Sequence, residues 1–481
     1  MNPEGVSPLI LERWACPRCR GPLSVQSEGD SCRSCGASFP VLDGVPCFEK
    51  PAPPPDDPDA PGLSIVIPAL NEEANIPRVL ADVRGVLSSL GIRSEVCVVD
   101  GGSRDRTREV SAEAGARVIR QKGKGFGRAL RDGFEAARGR WILTLDADLS
   151  HPASFVESLW TARNRGDLIV ASRYVPGAAF EAPWIRRALS RILNTTFAKA
   201  LALPVRDVSS NFRLYRADAL KEVTIEGVHF ETLEEILIKV FMSGRRLAEV
   251  PLHYRFRVGG RSKARIIFFG LRLVATFFRM WRMRWSIDAA DYDDRAYDSR
   301  IPLQRWWQRR RHRILLGWAE AAGGTVLDAG CGSGRLVQTL PRCVGLDLRL
   351  NKLRFLRDKG APVVQASLFG LPFKDGSFDV VVCSEVVEHL PAGDEPFREL
   401  ARVLKPGGTL IVGTPDYGRP WWPMIEGLYA RLHPQGYADE HITHYTAASL
   451  AEALARRGFE ILDSKGILGA ELLVRAKRKA S

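Results

Sequence analysis

Two stretches of the chain alternate between short apolar runs and apolar residues at helical spacing. In the first, residues 63–67 are an apolar run closed by Pro68. Ile76, Val79, Leu80, Val83, Val86, Leu87 and Leu90 then recur at three and four, one face of a helix. Residues 95–99 and 141–145 read as further strands. In the second stretch, residues 325–328, 344–347, 378–382 and 409–412 read as strands. Alternation of this kind predicts an α/β fold class for each stretch, with mainly parallel sheets covered by helices on both faces. The two stretches carry different motifs, so they are not an internal repeat.

Composition supplies the boundaries. The run 49–61 is rich in proline, which presets an extended linker. A polar, charged stretch at 286–313 separates the two alternating series. The predicted domains are 1–50, a linker at 51–61, a domain at 62–285, a linker at 286–313 and a domain at 314–481. At 45% hydrophobic and 26% charged, each large domain has the material for a core.

Charge changes the picture, because the net +13 is local. Residues 1–61 hold 5 Lys+Arg against 9 Asp+Glu, whereas residues 184–284 hold 20 against 8. A local basic surface implies an anionic partner such as lipid headgroups, phosphate or nucleic acid. No nucleic-acid motif is present, so nucleic acid is not expected. The segment 264–284 has Arg265, Arg272 and Arg279 seven apart, with Ile266, Phe269, Leu273, Phe277 and Met280 at helical spacing. The segment 184–202, with Arg186, Arg187 and Arg191, is a second candidate. Such helices either lie in a membrane interface or pack on their own protein; the local charge favours the interface. A secretory signal is not expected, nor a transmembrane helix, since no uncharged apolar run reaches about 18 residues.

Four of the nine cysteines form two CxxC knuckles, Cys16/Cys19 and Cys32/Cys35. Four thiolates at this spacing complete a tetrahedron for structural Zn²⁺. The other cysteines are scattered, which predicts a reducing compartment. The segments 15–23 and 39–46 resemble the small zinc-ribbon activators of tRNA and protein methyltransferases, which implies a docking module.

Asp146-Ala-Asp148 follows an apolar strand. Two carboxylates at a strand end suit Mg²⁺ or Mn²⁺ bound to a diphosphate. Ser64-Ile-Val-Ile-Pro-Ala-Leu-Asn-Glu-Glu73, Val98-Val-Asp-Gly-Gly-Ser103, Lys124-Gly-Phe-Gly-Arg-Ala129 and Leu145-Asp-Ala-Asp-Leu-Ser-His-Pro152 occur in that order. Together they resemble family-two glycosyltransferases of the GT-A fold. Ala171-Ser-Arg-Tyr-Val-Pro-Gly177, Asp207-Val-Ser-Ser-Asn-Phe-Arg213 and Arg257-Val-Gly-Gly-Arg-Ser-Lys263 are similar to the polyprenol (dolichol)-phosphate mannosyltransferases. The resemblance implies that Pro68, Leu70, Glu72, Val99 and Asp100 line the nucleotide pocket. It implies that Asp146, Ala147 and Asp148 hold diphosphate and metal, with both aspartates catalytic. Arg173, Arg257 and Lys263 would bind phosphates of donor and acceptor. The implied donor is a nucleotide sugar, GDP-mannose favoured, and the implied acceptor a polyprenyl phosphate. Leu70, Gly101, Ser150 and Asn211 depart from the residues usual at those positions.

In the second stretch, Val326-Leu-Asp-Ala-Gly-Cys-Gly-Ser-Gly334 puts a glycine loop directly after a strand, and Asp347 ends the next. Leu371-Pro-Phe-Lys-Asp-Gly-Ser-Phe-Asp-Val380, Glu385-Val-Val-Glu-His-Leu390 and Leu404-Lys-Pro-Gly-Gly408 follow. The series resembles class I S-adenosylmethionine-dependent methyltransferases with a Rossmann-like fold. The resemblance implies that Asp328, Gly330, Gly332, Gly334, Asp347 and Ser367 bind S-adenosyl-L-methionine. His389 is a candidate base for a hydroxyl acceptor, or a polar residue at a loop-to-helix junction. His433, His441 and His444 fall in the segment that often covers the acceptor pocket. They read as a base or metal cluster, or as ordinary hydrogen-bonded loop histidines.

The combined expectation is a bifunctional enzyme, cytoplasmic and peripheral on the inner face of the cytoplasmic membrane. One half would make a polyprenyl-phosphate sugar; the other would methylate a related glycolipid or pathway intermediate. The rivals are transfer to a polysaccharide, protein or soluble acceptor, and a binding or scaffold protein with one degenerate transferase.

Overall fold

The computed structural model describes residues 7–24, 30–50, 57, 59–254, 266–432 and 441–479, with the backbone alone described at 266–274 and 428–432. The chain divides into two compact units. One is Pro55–Trp285; the other joins Met1–Pro54 to Ser286–Ser481.

The Pro55–Trp285 unit is built on seven strands: β1 (Leu63–Ala69), β2 (Ser94–Asp100), β3 (Arg117–Arg120), β4 (Trp141–Thr144), β5 (Leu168–Ser172), β6 (Arg213–Arg216) and β7 (Leu247–Pro251). Their order is β7-β5-β6-β4-β1-β2-β3. Only β6 runs antiparallel to its neighbours. The helix Ile76–Leu90 buries Ile76, Val79, Leu80, Val83 and Leu87, most of the apolar face predicted for it, against β1 and β2. Leu63, Ile65 and Ile67 on one face of β1 lie in the same core. The chain leaves β1 toward β2 and β3 on one side and returns to β4 on the other. That reversal opens a crevice at the carboxyl ends of β1 and β4, the usual place for a ligand in such sheets.

The second unit repeats the plan with β8 (Val326–Ala329), β9 (Cys343–Asp347), β10 (Val363–Gln365), β11 (Phe378–Ser384), β12 (Leu404–Pro415), β13 (Phe459–Ile467) and β14 (Glu471–Arg478). Their order is β10-β9-β8-β11-β12-β14-β13, with β14 antiparallel. Its crevice lies between the ends of β8 and β11.

The N-terminal cysteine module belongs to this second unit. Trp14 bridges Phe373, and Cys47 bridges Gln365 on the edge strand β10. Ala15 N donates to the Pro372 carbonyl at 3.1 Å, and Lys374 N donates to the Arg13 carbonyl at 2.8 Å. Ile10, Trp14, Phe39 and Phe48 share one core with Leu371, Phe373 and Phe378. Arg20 pairs with Glu399 at 2.7 Å.

The segment 286–313, expected as a linker, is largely helical and packed. It holds the helix Tyr292–Tyr297 and much of the helix Pro302–Ala322. Its charges are pairing groups: Asp293 meets Lys352 at 2.8 Å, Asp294 meets Arg335 at 2.8 Å, and Arg309 meets Asp298 at 2.7 Å.

Candidate active sites

At the crevice of the first unit, Pro68 and Ala69 end β1 while Val99 and Asp100 end β2. Gly101 N donates to the Ala69 carbonyl at 2.9 Å, which laces the two strand ends together. Asp100 is buried and caps its own turn. Its Oδ1 accepts from Ser103 N at 3.0 Å and its Oδ2 from Gly102 N at 3.2 Å. Glu72 N donates to Thr107 Oγ1 at 2.8 Å, and the Glu72 carboxylate accepts from Asn75 Nδ2 at 2.8 Å. Leu70 projects outward, exposed. At Gly101 a β-carbon would meet Gln121 Oε1 at 3.2 Å and the Ala69 carbonyl at 3.4 Å. A larger residue there would press on both.

Asp146 follows β4 after one residue, Leu145. Asn211 Nδ2 donates to Asp146 Oδ1 at 2.9 Å, so the unusual Asn211 orients a candidate metal ligand. Asp146 N donates to His151 Nδ1 at 3.1 Å, which leaves the ring proton on Nε2, 3.8 Å from Asp146 Oδ2. His151 is buried and stacks on Phe212. Burial raises the Asp146 pKa; His151 opposes this and the Asp148 carboxylate adds to it. A cation between the two aspartates would relieve that strain, so the pair fits a divalent metal. Ala147 between them is buried, and Asp148 Oδ1 accepts from Ser150 N at 3.1 Å.

Arg173, expected on a phosphate, directs its fork at Asp207. Its Nε and Nη2 donate to Asp207 at 2.8 and 2.7 Å, and Nη2 also to Ser209 Oγ at 2.7 Å. Arg257 and Lys263 lie outside the described residues. His151, Asp207 and the orienting role of Asn211 were missed from sequence, although all three residues stand inside the motifs quoted.

In the second unit, Gly330 and Gly332 adopt φ of +88° and +54°. The turn is pinned to the end of β9, since Gly330 N and Cys331 N both donate to the Leu346 carbonyl, at 2.7 and 2.9 Å. Gly334 N donates back to the Cys331 carbonyl at 3.0 Å. Asp347 Oδ2 accepts from Gly332 N and Oδ1 from Arg349 N, both at 2.8 Å. Each oxygen keeps a lone pair for a ribose hydroxyl. Asp328 is buried behind the loop, and burial, with Asp347 and Asp293 nearby, pushes it up to about 7. Ser367, next to the edge strand, takes a hydrogen bond from Phe369 N at 3.2 Å.

Asp293 is an addition from the former linker. Its Oδ2 accepts from Ser333 N at 2.9 Å and from Lys352 Nζ at 2.8 Å. Three carboxylates thus crowd one glycine loop, a setting that fits a ligand carrying sulfonium and ammonium charges.

Further along the same sheet edge, Glu385 has φ of +59° and ion-pairs with Arg311 at 3.1 Å. Burial pushes Glu385 up to about 7. Glu388 is fully buried, and burial drives its carboxyl upward as well. His389 and His441 rings stand 4.9 Å apart, and His444 stacks on Tyr417 at 4.0 Å. His433 lies outside the described residues.

In the N-terminal module, Cys16 and Cys35 Sγ are 3.7 Å apart and Cys19 and Cys32 Sγ 3.4 Å apart. All four sulfurs lie within 4.8 Å of one another. Tetrahedral zinc with bonds of about 2.3 Å sets its sulfurs about 3.8 Å apart, so the quartet fits a Zn²⁺ ion.

Residues 64–224 match the family model for glycosyl transferase family 2, and residues 327–412 match that for a methyltransferase domain. A dolichol-phosphate mannosyltransferase of Pyrococcus furiosus is 33% identical over 239 residues, which cover 47% of this chain and 65% of that protein. A dolichyl-phosphate hexose transferase of Haloferax volcanii is 32% identical over 198 residues, covering 41% of this chain and 84% of the relative. Among solved structures, a glucosyl-3-phosphoglycerate synthase of Mycobacterium tuberculosis aligns at a TM-score of 0.38 and 22% identity, covering 46% of this chain and 80% of that one.

Proposed function

Because the chain belongs to glycosyl transferase family 2 over residues 64–224 and carries a methyltransferase domain over residues 327–412, we propose that it transfers a hexose from a nucleotide sugar to a polyprenyl phosphate and methylates a related glycolipid or pathway intermediate. Relatives named for dolichyl-phosphate transfer support the acceptor class. GDP-mannose is the favoured donor. The observation that carries the reading is the oriented pair Asp146 and Asp148 at the crevice mouth.

Asp146 and Asp148 would hold Mg²⁺ or Mn²⁺, which when bound neutralises the leaving diphosphate. Asn211 and His151 keep the Asp146 carboxylate aimed. Pro68, Leu70, Glu72, Val99 and Asp100 line the nucleotide side. The acceptor phosphate is already anionic and needs no protein base. It displaces the nucleotide at the anomeric carbon with inversion, so the protein's work is positioning and charge stabilisation. Arg173 stiffens the wall through Asp207, which leaves Arg257 and Lys263 to meet phosphate.

The lipid would approach over the helix Trp184–Ala200. Trp184, Ile185, Leu189 and Ile192 are 71, 54, 62 and 64% exposed, and Arg186, Arg187 and Arg191 lie among them, exposed as well. Large apolar side chains left in water beside guanidinium groups suit a headgroup interface. No helix among the described residues is long and apolar enough to cross a membrane. On this reading the chain attaches peripherally at the inner face of the cytoplasmic membrane.

In the second unit, Gly330, Gly332, Gly334, Asp328, Asp347 and Ser367 would hold S-adenosyl-L-methionine, which supplies the methyl group. The cysteine quartet would hold structural Zn²⁺ and fix the module that covers β10.

The test is incubation of the full chain with labelled nucleotide sugars and polyprenyl phosphate, followed by organic extraction. Organic-soluble label with GDP-mannose is expected. No label with any GDP- or UDP-sugar would sink the lipid-phosphate reading. Labelled S-adenosylmethionine in the same mixture tests whether the lipid product is the methyl acceptor.

A further inference from the structure

We propose that Glu388, His389 and His441 form a divalent-cation site in the methyltransferase unit, on the same sheet edge as the glycine loop, for a first-row transition ion such as Mn²⁺, Fe²⁺ or Zn²⁺. One ligand atom from each of the three lies within 4.8 Å of the others. Glu388 and His389 are neighbours in sequence, and the fold brings His441 to them. Ile442 N and Thr443 N donate to the Glu388 carbonyl at 2.8 and 2.9 Å. Those two bonds seat the segment carrying His441 on the turn carrying Glu388 and His389.

Glu388 is the independent mark of a ligand. It is 0% exposed, and neither carboxylate oxygen makes a well-formed hydrogen bond; the Thr414 hydroxyl, itself buried without one, stands beside it. A buried carboxylate without hydrogen bonds is costly unless a cation or proton meets it. Glu385 Oε1, one helical turn before, is likewise buried without a hydrogen bond, while its other oxygen holds Arg311.

His441 is prepared from behind. Tyr417 OH donates to Glu426 Oε1 at 2.9 Å. His441 Nδ1 lies 2.9 Å from the same oxygen and 2.8 Å from the Tyr417 hydroxyl. Because the tyrosine proton already goes to Glu426, the histidine proton sits on Nδ1. Nε2 therefore keeps its lone pair, the carboxylate–histidine arrangement typical behind a metal. Two imidazoles and a carboxylate, with positions left open, select a first-row transition ion over Ca²⁺.

The location gives the ion work, on the reading that this unit transfers methyl groups. Val386, between Glu385 and Val387, touches the glycine loop closely enough that a β-carbon on Gly330 would lie 2.1 Å from its Cγ2. An oxygen acceptor, such as adjacent hydroxyls of a hexose, would enter the open positions and have its pKa lowered. The acceptor's O–H proton passes to solvent water and its oxygen forms the O–CH₃ bond; the sulfonium S–CH₃ bond breaks, and its electron pair stays on the sulfur of a neutral thioether.

The test uses the full chain with Asp146→Asn and Asp148→Asn, so that the sugar-transfer aspartates take no ion. Mn²⁺ is titrated in the absence of methyl donor, and free ion is read by electron paramagnetic resonance. One bound equivalent is expected. Glu388→Gln and His441→Gln should each weaken it at least tenfold, with the circular dichroism spectrum and calorimetric S-adenosylmethionine binding unchanged. If either variant fails to fold, His389→Gln is read instead. The proposal is overturned if neither Mn²⁺ nor Zn²⁺ binds beyond the zinc of the cysteine quartet, or if the variants bind as the parent does. Cation binding without methyl-donor binding would instead overturn the methyltransferase reading and leave the site standing.

Discussion

The sugar-transfer crevice ends its strands in side chains, with Asn211 aiming the Asp146 carboxylate and Asp148 two residues on. The methyl-transfer crevice ends β8 in Gly330, Gly332 and Gly334, where side chains are missing. Both lie where a parallel sheet reverses its winding. On the proposed reading the first works by placing charge, the second by leaving room for backbone to approach a ligand. The first should therefore fail when a charge is removed, and the second when a single methyl group is added.

The largest effect tests the first half of that contrast. Asp148→Ala should lower the turnover of sugar transfer by at least ~10³-fold, with S-adenosylmethionine affinity unchanged by calorimetry. An active Asp148→Ala enzyme would mean that the pair is structural. The mirror experiment is Gly330→Ala, where φ is +88° and the new β-carbon would strike Val386 Cγ2 at 2.1 Å. S-adenosylmethionine binding should fall by about 10³-fold or vanish, while organic-soluble sugar product forms at the parent rate. Gly332→Ala sharpens the point, because its obstacle at 2.4 Å is the Asp293 carboxylate, a side chain that can move. It should be the milder change.

Stability separates the units next. Trp14, 3% exposed, packs with Phe48 and sits beside Phe373. Trp14→Ala should cost the methyltransferase unit about 3 kcal/mol, and zinc chelation should act in the same direction. Melting of the sugar-transfer unit should not move in either case. A pH experiment then probes the other unit. Glu234 is buried with Oε2 unpartnered, and burial pushes it from 4.5 to about 7. Its raised pKa means that the native state holds a proton the unfolded chain has released. The associated stability is fully present below about 4.5 and lost as pH rises through about 7. Glu234→Gln should therefore match the parent at pH 4 and exceed it at pH 8, by up to about 3 kcal/mol. Equal denaturation midpoints at pH 8 would remove the argument. The smallest stability effect belongs to Leu189→Glu with Ile192→Glu. These exposed changes should alter stability by no more than about 0.5 kcal/mol yet release the protein from anionic vesicles in a sedimentation assay.

The two units were also unequally legible in sequence. Strands β1, β2, β4, β8, β9 and β11 announce themselves as short apolar runs, and the cysteine quartet and glycine loop by spacing alone. The segment 286–313 misleads because polar composition reads as solvent exposure, whereas Asp293, Asp294 and Asp298 find Lys352, Arg335 and Arg309 only once the chain has folded. Arg173 shows the same limit. Its residue type fits a phosphate, but only the structure brings Asp207 to its fork. Glu388 stands in a visible motif, yet its relation to His441 depends on the pairing of residues 442 and 443 with its own carbonyl.

One consequence follows from the way the second unit is interrupted. Its first part, Met1–Pro54, is separated from the rest, Ser286–Ser481, by the whole sugar-transfer unit. On the ribosome the cysteine module emerges before β8 to β14 and with its apolar side bare, because Phe373 and Phe378 are not yet made. The sugar-transfer unit, contiguous in sequence, can fold as soon as its last helix is released. The module must then wait until β8 to β14 arrive. The order of synthesis makes the methyltransferase unit mature after the sugar-transfer unit, and truncations that remove β12 to β14 should strand the module while sparing sugar transfer.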